Sequence, residues 1–148
     1  MNQIRSEHLE NHTNKTYQER MNQTVSSKFG AIAKHLGENV KLLDFGSGFS
    51  PEFIKQVTQT GTHYVAYDVS QIVQSQLQEN NIDFITKGQL ENAEDEFDTI
   101  YMSSVFHELM SYLSRPERTK TFAMLDRALK PDGTIIIRDW GPGETPNL

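Results

Sequence analysis

The sequence predicts a doubly wound α/β domain, with a mainly parallel sheet of about five strands and helices on both faces. Short apolar segments alternate with segments of helical periodicity along most of the 148 residues, which is the element order of α/β proteins. The strand-like segments are apolar at nearly every position rather than at every second one, as expected of parallel strands that are buried on both faces. A chain of this length can bury a substantial core as one domain.

An arm and a helix precede the first predicted strand. Residues 1–16 are polar and predict a flexible arm. The helix that follows ends at Gly37, since glycine commonly terminates helices. Its inward positions recur at helical spacing and are Val25, Phe29, Ile32, Ala33 and Leu36.

Two strands and the helix between them come next. Val40 to Asp44 is the first predicted strand, and His63 to Asp68 is the second. The intervening helix has Ser50 as its N-cap and Pro51 in its first turn, and it ends at Gly61. Crossovers of this kind are almost always right-handed.

The middle of the chain repeats the pattern. Ser70 caps a helix, and Ile82 to Thr86 follows as the third predicted strand. Thr99 to Ser103 is the fourth, and a short helix runs from about Ser104 to Leu113. The next helix begins at the capping-box pair Ser114 and Glu117, and its inward residues are Phe122, Leu125 and Leu129.

The last elements are a turn at Pro131 to Gly133 and a fifth strand, Thr134 to Asp139. We therefore predict one domain over residues 17–140 and a flexible, Gly- and Pro-rich tail over residues 141–148.

Composition narrows the functional classes. The net charge of −6 argues against nucleic-acid binding by this chain alone, because a phosphate backbone requires a basic surface. Cysteine is absent, which removes disulfides and thiolate chemistry and suits a reducing compartment. The sequence has no apolar run of membrane-spanning length and no apolar signal core, so the expected location is the cytoplasm. We identify no metal site.

The strongest chemical signal is the turn that follows the first strand. Asp44 to Ser50 reads Asp-Phe-Gly-Ser-Gly-Phe-Ser and leads directly into a helix. Glycines let the backbone approach a ligand closely, and free N–H groups at a helix start favour an anionic or polar group. Asp68 ends the next strand, where its carboxylate either accepts ribose hydroxyls or caps the helix after Ser70. A dinucleotide site would place a third glycine at position 51, where the chain has Pro51.

Taken together, these segments resemble the successive motifs of class I S-adenosylmethionine-dependent methyltransferases, which have a Rossmann-like fold. The matching segments are Asp44-x-Gly46-x-Gly48, Asp68, Phe97 to Tyr101 and Leu129 to Thr134. The resemblance implies S-adenosyl-L-methionine as cofactor, held around Asp44, Gly46, Ser47, Gly48, Phe49 and Ser50. It implies that Asp68 holds the ribose, that Val69 packs on the adenine, that Gln89 and Leu90 read the adenine edge, and that Ser103 and Ser104 line the floor.

The sequence departs from the family in two places. Ser50 stands where a third glycine is frequent, and the family usually continues with more strands beyond the position of Asp139. An uncovered parallel edge favours association. We therefore expect the fifth strand to be covered by the tail, by a second copy of the chain in a homo-oligomer, or by a missing domain.

The expected activity is methyl transfer to an oxygen or nitrogen nucleophile of a small molecule or a protein. His107 is the candidate general base, with Glu108 or Asp139 to orient it, although a structural role for His107 is equally open. The alternative is a catalytically inactive module that binds the cofactor or a partner.

Overall fold

The structure is a computed structural model and describes residues 25–139, without the side chains of Phe106 and His107. The predicted arm and tail lie outside the described residues. Within them, four strands form one parallel sheet in the order β2-β1-β3-β4. The strands are β1 (Lys41–Phe45), β2 (His63–Tyr67), β3 (Phe97–Ser103) and β4 (Leu129–Arg138).

Helices connect the strands and cover both faces of the sheet. Helix α1 is described over residues 25–30 and is followed by a 3₁₀ turn at Ala33–His35. Two of the predicted N-caps form side-chain bonds. The Ser70 hydroxyl accepts the Val73 N–H, and the Ser114 side chain accepts the Glu117 N–H in the predicted capping box. The remaining helices are α2 (Pro51–Thr58), α3 (Gln71–Glu79), α4 (Lys87–Glu91), α5 (Phe106–Tyr112) and α6 (Arg115–Ala128).

The core has two layers, one on each face of the sheet. Successive residues of a strand point to opposite faces, so Leu42 and Leu43, both fully buried, belong to different layers. One layer packs against α4 and α6, and the other against α1, α2 and α3. The predicted doubly wound α/β class is confirmed. Among the described residues, no helix is both long and apolar enough to cross a membrane.

The prediction of a third strand at Ile82 to Thr86 is wrong. Only one isolated bridge forms there, between Ala66 of β2 and Phe84. The segment is short because Asn81 turns with a positive φ of 57° and Thr86 already caps α4. The sheet therefore has four strands within residues 25–139, and the predicted fifth strand is β4.

Two further boundaries differ from the prediction. The first helix does not continue to Leu36, because after Gly30 the chain changes to i→i−3 hydrogen bonds, such as Ile32 N–H to Phe29 O. Glycine weakens helices, which explains the break. The predicted turn at Pro131 to Gly133 lies within β4, as an irregularity of the strand. Phe97 pairs with Leu129 and Thr99 pairs with Thr134, so the residues between Leu129 and Thr134 form a bulge on β4.

Candidate functional site

The described residues form an open cavity of about 1050 Å³ at the carboxyl ends of the strands. This is the position where ligands bind in open α/β sheets. The turn after β1 and the residues after β2 and β3 line one side, while α5 and α6 line the other. The predicted site residues in its wall are Gly46, Ser47, Gly48, Asp68, Val69, Ser103 and Ser104.

The two glycines of the turn are needed for different reasons. Gly46 has a φ of 76°, and a Cβ atom there would lie 2.4 Å from a methyl group of Val105. Gly48 has a φ of 59°, but a Cβ atom would meet nothing within 4 Å. The N–H groups of Gly46 and Ser47 both donate to the Tyr67 carbonyl, at 2.8 and 3.0 Å. The turn is therefore fixed to the end of β2, with open space above Gly48.

Asp68 links the turn to the next helix. Its Oδ2 accepts the Gly48 N–H at 2.8 Å, and its Oδ1 accepts the Ser70 N–H at 2.9 Å. The capping role that the sequence left open is thus present in the structure. Because a carboxylate has about four acceptor positions, these two bonds leave acceptor capacity on the cavity side for hydroxyl groups.

Asp44 is a buried carboxylate at the end of β1, with a side chain only 1% exposed. The Tyr64 hydroxyl donates to its Oδ2 at 2.6 Å, and the Lys28 ammonium lies 3.6 Å from the same oxygen. Oδ1 has no hydrogen-bond partner among the described residues. Burial raises the pKa of Asp44 above its usual 3.8, although Lys28 and Tyr64 lower it in part.

Burial, together with the charge of Asp44, raises the pKa of the Tyr64 hydroxyl well above its usual range. Tyr64 therefore stays protonated and acts as a donor to Asp44. Lys28 is therefore the positive charge beside Asp44, and it offsets the effect of burial, which disfavours the ionised carboxylate.

Ser103 and Ser104 lie at the end of β3, on the floor of the cavity. The Ser103 hydroxyl accepts a bond from the Arg138 guanidinium at 3.2 Å. Ser104 has a positive φ of 61°, and its N–H donates to the Arg138 carbonyl at 2.7 Å. Val69, at the rim, is 80% exposed and offers a free apolar surface.

Five of the predicted cofactor residues do not line this cavity, and the buried Asp44 described above is one of them. Phe49 packs against the core layer of α2, and Ser50 is the N-cap residue of α2 without a capping bond from its side chain. Leu90 is fully buried. The Gln89 side chain accepts the Thr86 N–H at 2.9 Å, which completes a capping box.

The predicted catalytic residues are only partly described. His107 belongs to α5, but its side chain lies outside the described atoms. Glu108, the next residue, lines the cavity. Asp139 follows β4 and is not among the residues that line the cavity. The geometry therefore supports Glu108 as a site residue and leaves the roles of His107 and Asp139 as predictions.

Sequence reasoning missed several residues of the site. Lys28 had no local signal, because its partner Asp44 is distant in the sequence and the pair forms only when α1 packs on the sheet. The wall from α5 and α6 was missed for the same reason. The spacing of Thr86 and Gln89, in contrast, is a recognisable capping-box signature that predicts the role Gln89 has here.

The wall formed by α4, α5 and α6 combines apolar side chains with charges of both signs. Leu109, Leu113 and Met124 provide apolar surface, and Tyr112 is 84% exposed at the rim. A mixed wall of this kind suits an amphipathic molecule rather than a simple anion or cation. Its charged residues are Lys87, Glu91, Glu108, Glu117, Lys120 and Arg127.

Comparison with known proteins places this geometry in context. A family model described as a methyltransferase domain matches residues 17–145. A search of curated proteins found no match. Many solved structures are similar, among them three methyltransferases whose sequence identities to this chain lie between 14% and 21%. At such identities the likeness demonstrates the fold alone.

The three structures differ in how much of each chain is shared. A TehB-like SAM-dependent methyltransferase from Corynebacterium glutamicum has 21% identity and a TM-score of 0.60, over 87% of this chain and 76% of its own. A SAM-dependent methyltransferase from Archaeoglobus fulgidus has 14% identity and a TM-score of 0.64, over 81% and 53%. The glycopeptide N-methyltransferase MtfA has 15% identity and a TM-score of 0.58, over 76% and 52%. The chain thus spans about half the length of two of them.

Proposed function

The chain belongs to the methyltransferase domain family, and from that membership we propose that it is an S-adenosylmethionine-dependent methyltransferase. The acceptor is an oxygen or nitrogen nucleophile of a small molecule or a protein. The observation that carries the proposal is the convergence of the glycine turn and Asp68 at one cavity, with Asp44 buried directly before the turn.

The residues present fit the chemistry of this cofactor. Its methionine part carries an ammonium group beside the sulfonium, and the unpartnered Oδ1 of Asp44 is a buried acceptor that suits positive charge. The open space above Gly48 admits a ligand close to the backbone. The spare acceptor positions of Asp68 suit the two ribose hydroxyls, and the exposed Val69 suits an adenine face.

When bound, the cofactor supplies an electrophilic methyl group, which bonds to the acceptor while the carbon–sulfur electron pair stays on sulfur. The work of this chain is then mainly to position the two reactants in line and to exclude water. The cavity volume of about 1050 Å³ is at the upper end of small-molecule sites, which run to roughly 1,000 Å³. It therefore has room for the cofactor and a small acceptor together.

A base is required only when the acceptor must lose a proton. We assign this role to His107 on α5, with Glu108 in the cavity wall beside it in the sequence. His107→Ala should then abolish turnover of a hydroxyl or protonated amine acceptor and leave cofactor affinity unchanged. Equal loss of affinity and turnover would instead indicate a structural role.

The second candidate is a module that binds the cofactor without catalysis. It is favoured by the fact that the chain spans only about half the length of two of the similar structures. The two candidates share the cofactor site and differ in turnover. Wild-type protein that binds cofactor yet transfers no methyl group to any acceptor in a broad screen would support the module.

The first experiment is calorimetric titration with S-adenosylmethionine and with its demethylated product. We expect micromolar binding that weakens on the order of tenfold or more in Asp68→Ala, since charge-assisted hydrogen bonds contribute about 1.5–3 kcal/mol each. Asp83→Ala is the matched control, because Asp83 is an exposed carboxylate that pairs with His63 outside the cavity. Folded wild-type protein that gives no heat at two temperatures would overturn the proposal.

A further inference from the structure

Helix α1 is held across the carboxyl edge of the sheet by polar contacts to three strands. The Lys28 ammonium lies 3.6 Å from Asp44 of β1. The Tyr101 hydroxyl of β3 donates to the Lys28 carbonyl at 2.8 Å, and Arg138 of β4 donates to the Ser27 hydroxyl at 3.1 Å. Two adjacent residues of α1, Ser27 and Lys28, thus make all three contacts.

The Lys28 side chain is held in a nearly buried position. It is 14% exposed, and its ammonium lies 4.2 Å from the centre of the Phe53 ring, a distance at which a cation is attracted to an aromatic face. In such surroundings charge interactions are stronger than in water. The position of this charge is therefore set by packing as well as by attraction to Asp44.

Lys28 and Tyr64 both act on Oδ2 of Asp44, which leaves Oδ1 without a partner among the described residues. The groups that act electrostatically on Asp44 are Lys28 from α1, Tyr64 from β2 and Asp68 after β2. Burial disfavours the charged carboxylate, Asp68 opposes it, and Lys28 is the largest favourable influence. Lys28 is therefore the group whose loss most favours a neutral Asp44.

We propose that Lys28 is a positioning residue of the cofactor site, which directs the contacts of Asp44 to Oδ2 and keeps this buried carboxylate charged directly before the glycine turn, so that its negative charge attracts a cationic ligand in the cavity. The inference rests on the proposed function, because the cationic ligand is S-adenosylmethionine. It goes beyond the family pattern, since the acting residue lies on α1 and not in the glycine turn.

Simple charge repulsion between Lys28 and the cofactor predicts the opposite change in cofactor affinity. Lys28 and the cofactor are both positively charged near this site, so repulsion alone would make the cofactor bind more tightly when Lys28 is neutralised. If Lys28 acts by keeping Asp44 charged, its neutralisation weakens binding instead. The sign of the change separates the two mechanisms.

The test is a double-mutant cycle on cofactor affinity with Lys28→Met, Asp44→Asn and the double variant. Methionine keeps the length of the side chain over Phe53 and removes only its charge. We expect Lys28→Met to weaken binding on the order of tenfold at pH 7, as the loss of one charge-assisted interaction with Asp44 implies. In the Asp44→Asn background, the same substitution should change affinity less than about twofold.

Three further variants separate charge from helix attachment. Lys28→Arg should restore most of the affinity because it restores the charge. Tyr101→Phe removes another attachment of α1 and leaves the Lys28 charge in place, and Lys34→Met removes an exposed cation. Both variants should bind cofactor as the wild type does. Affinity should increase with pH as Asp44 loses its proton, and in Lys28→Met this increase should lie at higher pH than in the wild type, because the pKa of Asp44 is higher without the Lys28 charge.

The outcomes are distinguishable. Wild-type protein that binds no cofactor overturns the proposed function itself. Wild-type binding with equal or tighter binding in Lys28→Met overturns the role of Lys28 alone. Equal weakening in both Asp44 backgrounds means that Lys28 contacts the ligand directly, which also contradicts the proposal. Circular dichroism confirms that each variant is folded, and Lys28→Gln replaces Lys28→Met in the cycle if the latter is not.

Discussion

At the scale of single residues, the glycine turn shows that one residue type can serve two purposes. Both Gly46 and Gly48 have a positive φ, which disfavours any residue with a Cβ atom. Only Gly46 also faces a neighbour, since Val105 occupies the space that a Cβ atom would need. Gly46 is therefore the glycine required for packing against Val105, and Gly48 is the one that leaves open space for a ligand.

We expect Gly46→Ala to destabilise the protein more than Gly48→Ala does. Gly48→Ala has only the backbone cost of about 1–2 kcal/mol, whereas Gly46→Ala adds overpacking against Val105 of about 1–3 kcal/mol. Denaturant unfolding measures both. Adding Val105→Ala to Gly46→Ala should recover part of the difference, and equal stability of the two single variants would contradict the stated role of Val105.

Asp44 shows a conflict between function and stability at one residue. Its pKa in the folded protein is raised above 3.8, mainly by burial. A group with a raised folded pKa contributes stability that is fully present below 3.8 and is lost as the pH rises through the folded pKa. Above its folded pKa, the ionised Asp44 therefore lowers the stability of the fold.

We expect the double variant Lys28→Met and Asp44→Asn to be more stable than the wild type at pH 7 and poorer at binding the cofactor. Replacing a buried ion pair by well-packed hydrophobic residues is often neutral or stabilises a protein by about 1–4 kcal/mol, and because Asn remains polar we expect a gain at the lower end of that range. The gain should shrink as the pH falls towards 3.8. Thermal unfolding without ligand at several pH values measures it, and a double variant less stable than the wild type at pH 7 would disprove the expectation.

The sequence predicted part of the site at this scale. Asp44, Gly46, Gly48 and Asp68 belong to contiguous or regularly spaced segments, so their convergence follows from parallel strands that end at one edge. Lys28 was not predictable, because its contact with Asp44 depends on how α1 packs on the sheet. Residues that meet only through tertiary packing leave no spacing in the sequence.

At the scale of elements, Asp98 joins three strands at the end of the sheet opposite the cavity. Its Oδ2 accepts the Lys41 N–H at the start of β1 at 2.8 Å, and its carboxylate lies 3.1 Å from the Lys130 ammonium of β4. Burial raises the pKa of Asp98, but the bonds from Lys41 and Lys130 outweigh it and hold the pKa below 3.8. Asp98 therefore favours the register of β1, β3 and β4 while it is charged.

We expect Asp98→Asn to lower the free energy of unfolding at pH 7 by about 1.5 kcal/mol, the lower end for hydrogen bonds to a charged group. A lowered folded pKa gives stability that is present above 3.8 and is lost as the pH falls through the folded value. The difference from the wild type should therefore disappear in acid. Asp95→Asn, in the neighbouring exposed loop, is the control, and a difference that does not change with pH would contradict the charge-based reason.

Element prediction succeeded where local signals agreed and failed where they competed. The segments of β1, β2 and β3 and the capped helices α3 and α6 follow apolar runs and N-cap residues. Ile82 to Thr86 also reads as an apolar run, but the turn at Asn81 and the cap at Thr86 leave room for a single bridge. The turn and the cap that flank this segment, rather than its composition, therefore decided its structure.

At the scale of the whole molecule, β4 is an edge strand with apolar side chains on both faces. Among the described residues it pairs only with β3. Ile135 packs against one core layer and Ile136 against the other, while Ile137 is 46% exposed. An apolar, unpaired edge is a surface on which another chain or segment can add, and the similar structures extend well beyond the part that this chain matches.

We expect the purified 148-residue chain to self-associate through β4 as its concentration rises, because pairing would satisfy the edge and cover Ile137. Sedimentation velocity over a concentration range of about a hundredfold measures this, and Ile137→Lys should shift the distribution towards monomer, since a lysine on an edge opposes pairing. Ile72→Lys is the matched control, because Ile72 is 75% exposed on α3, away from this edge. A monomer at every concentration would mean that β4 is already covered within the chain, whereas an equal effect of both lysine variants would place the association elsewhere.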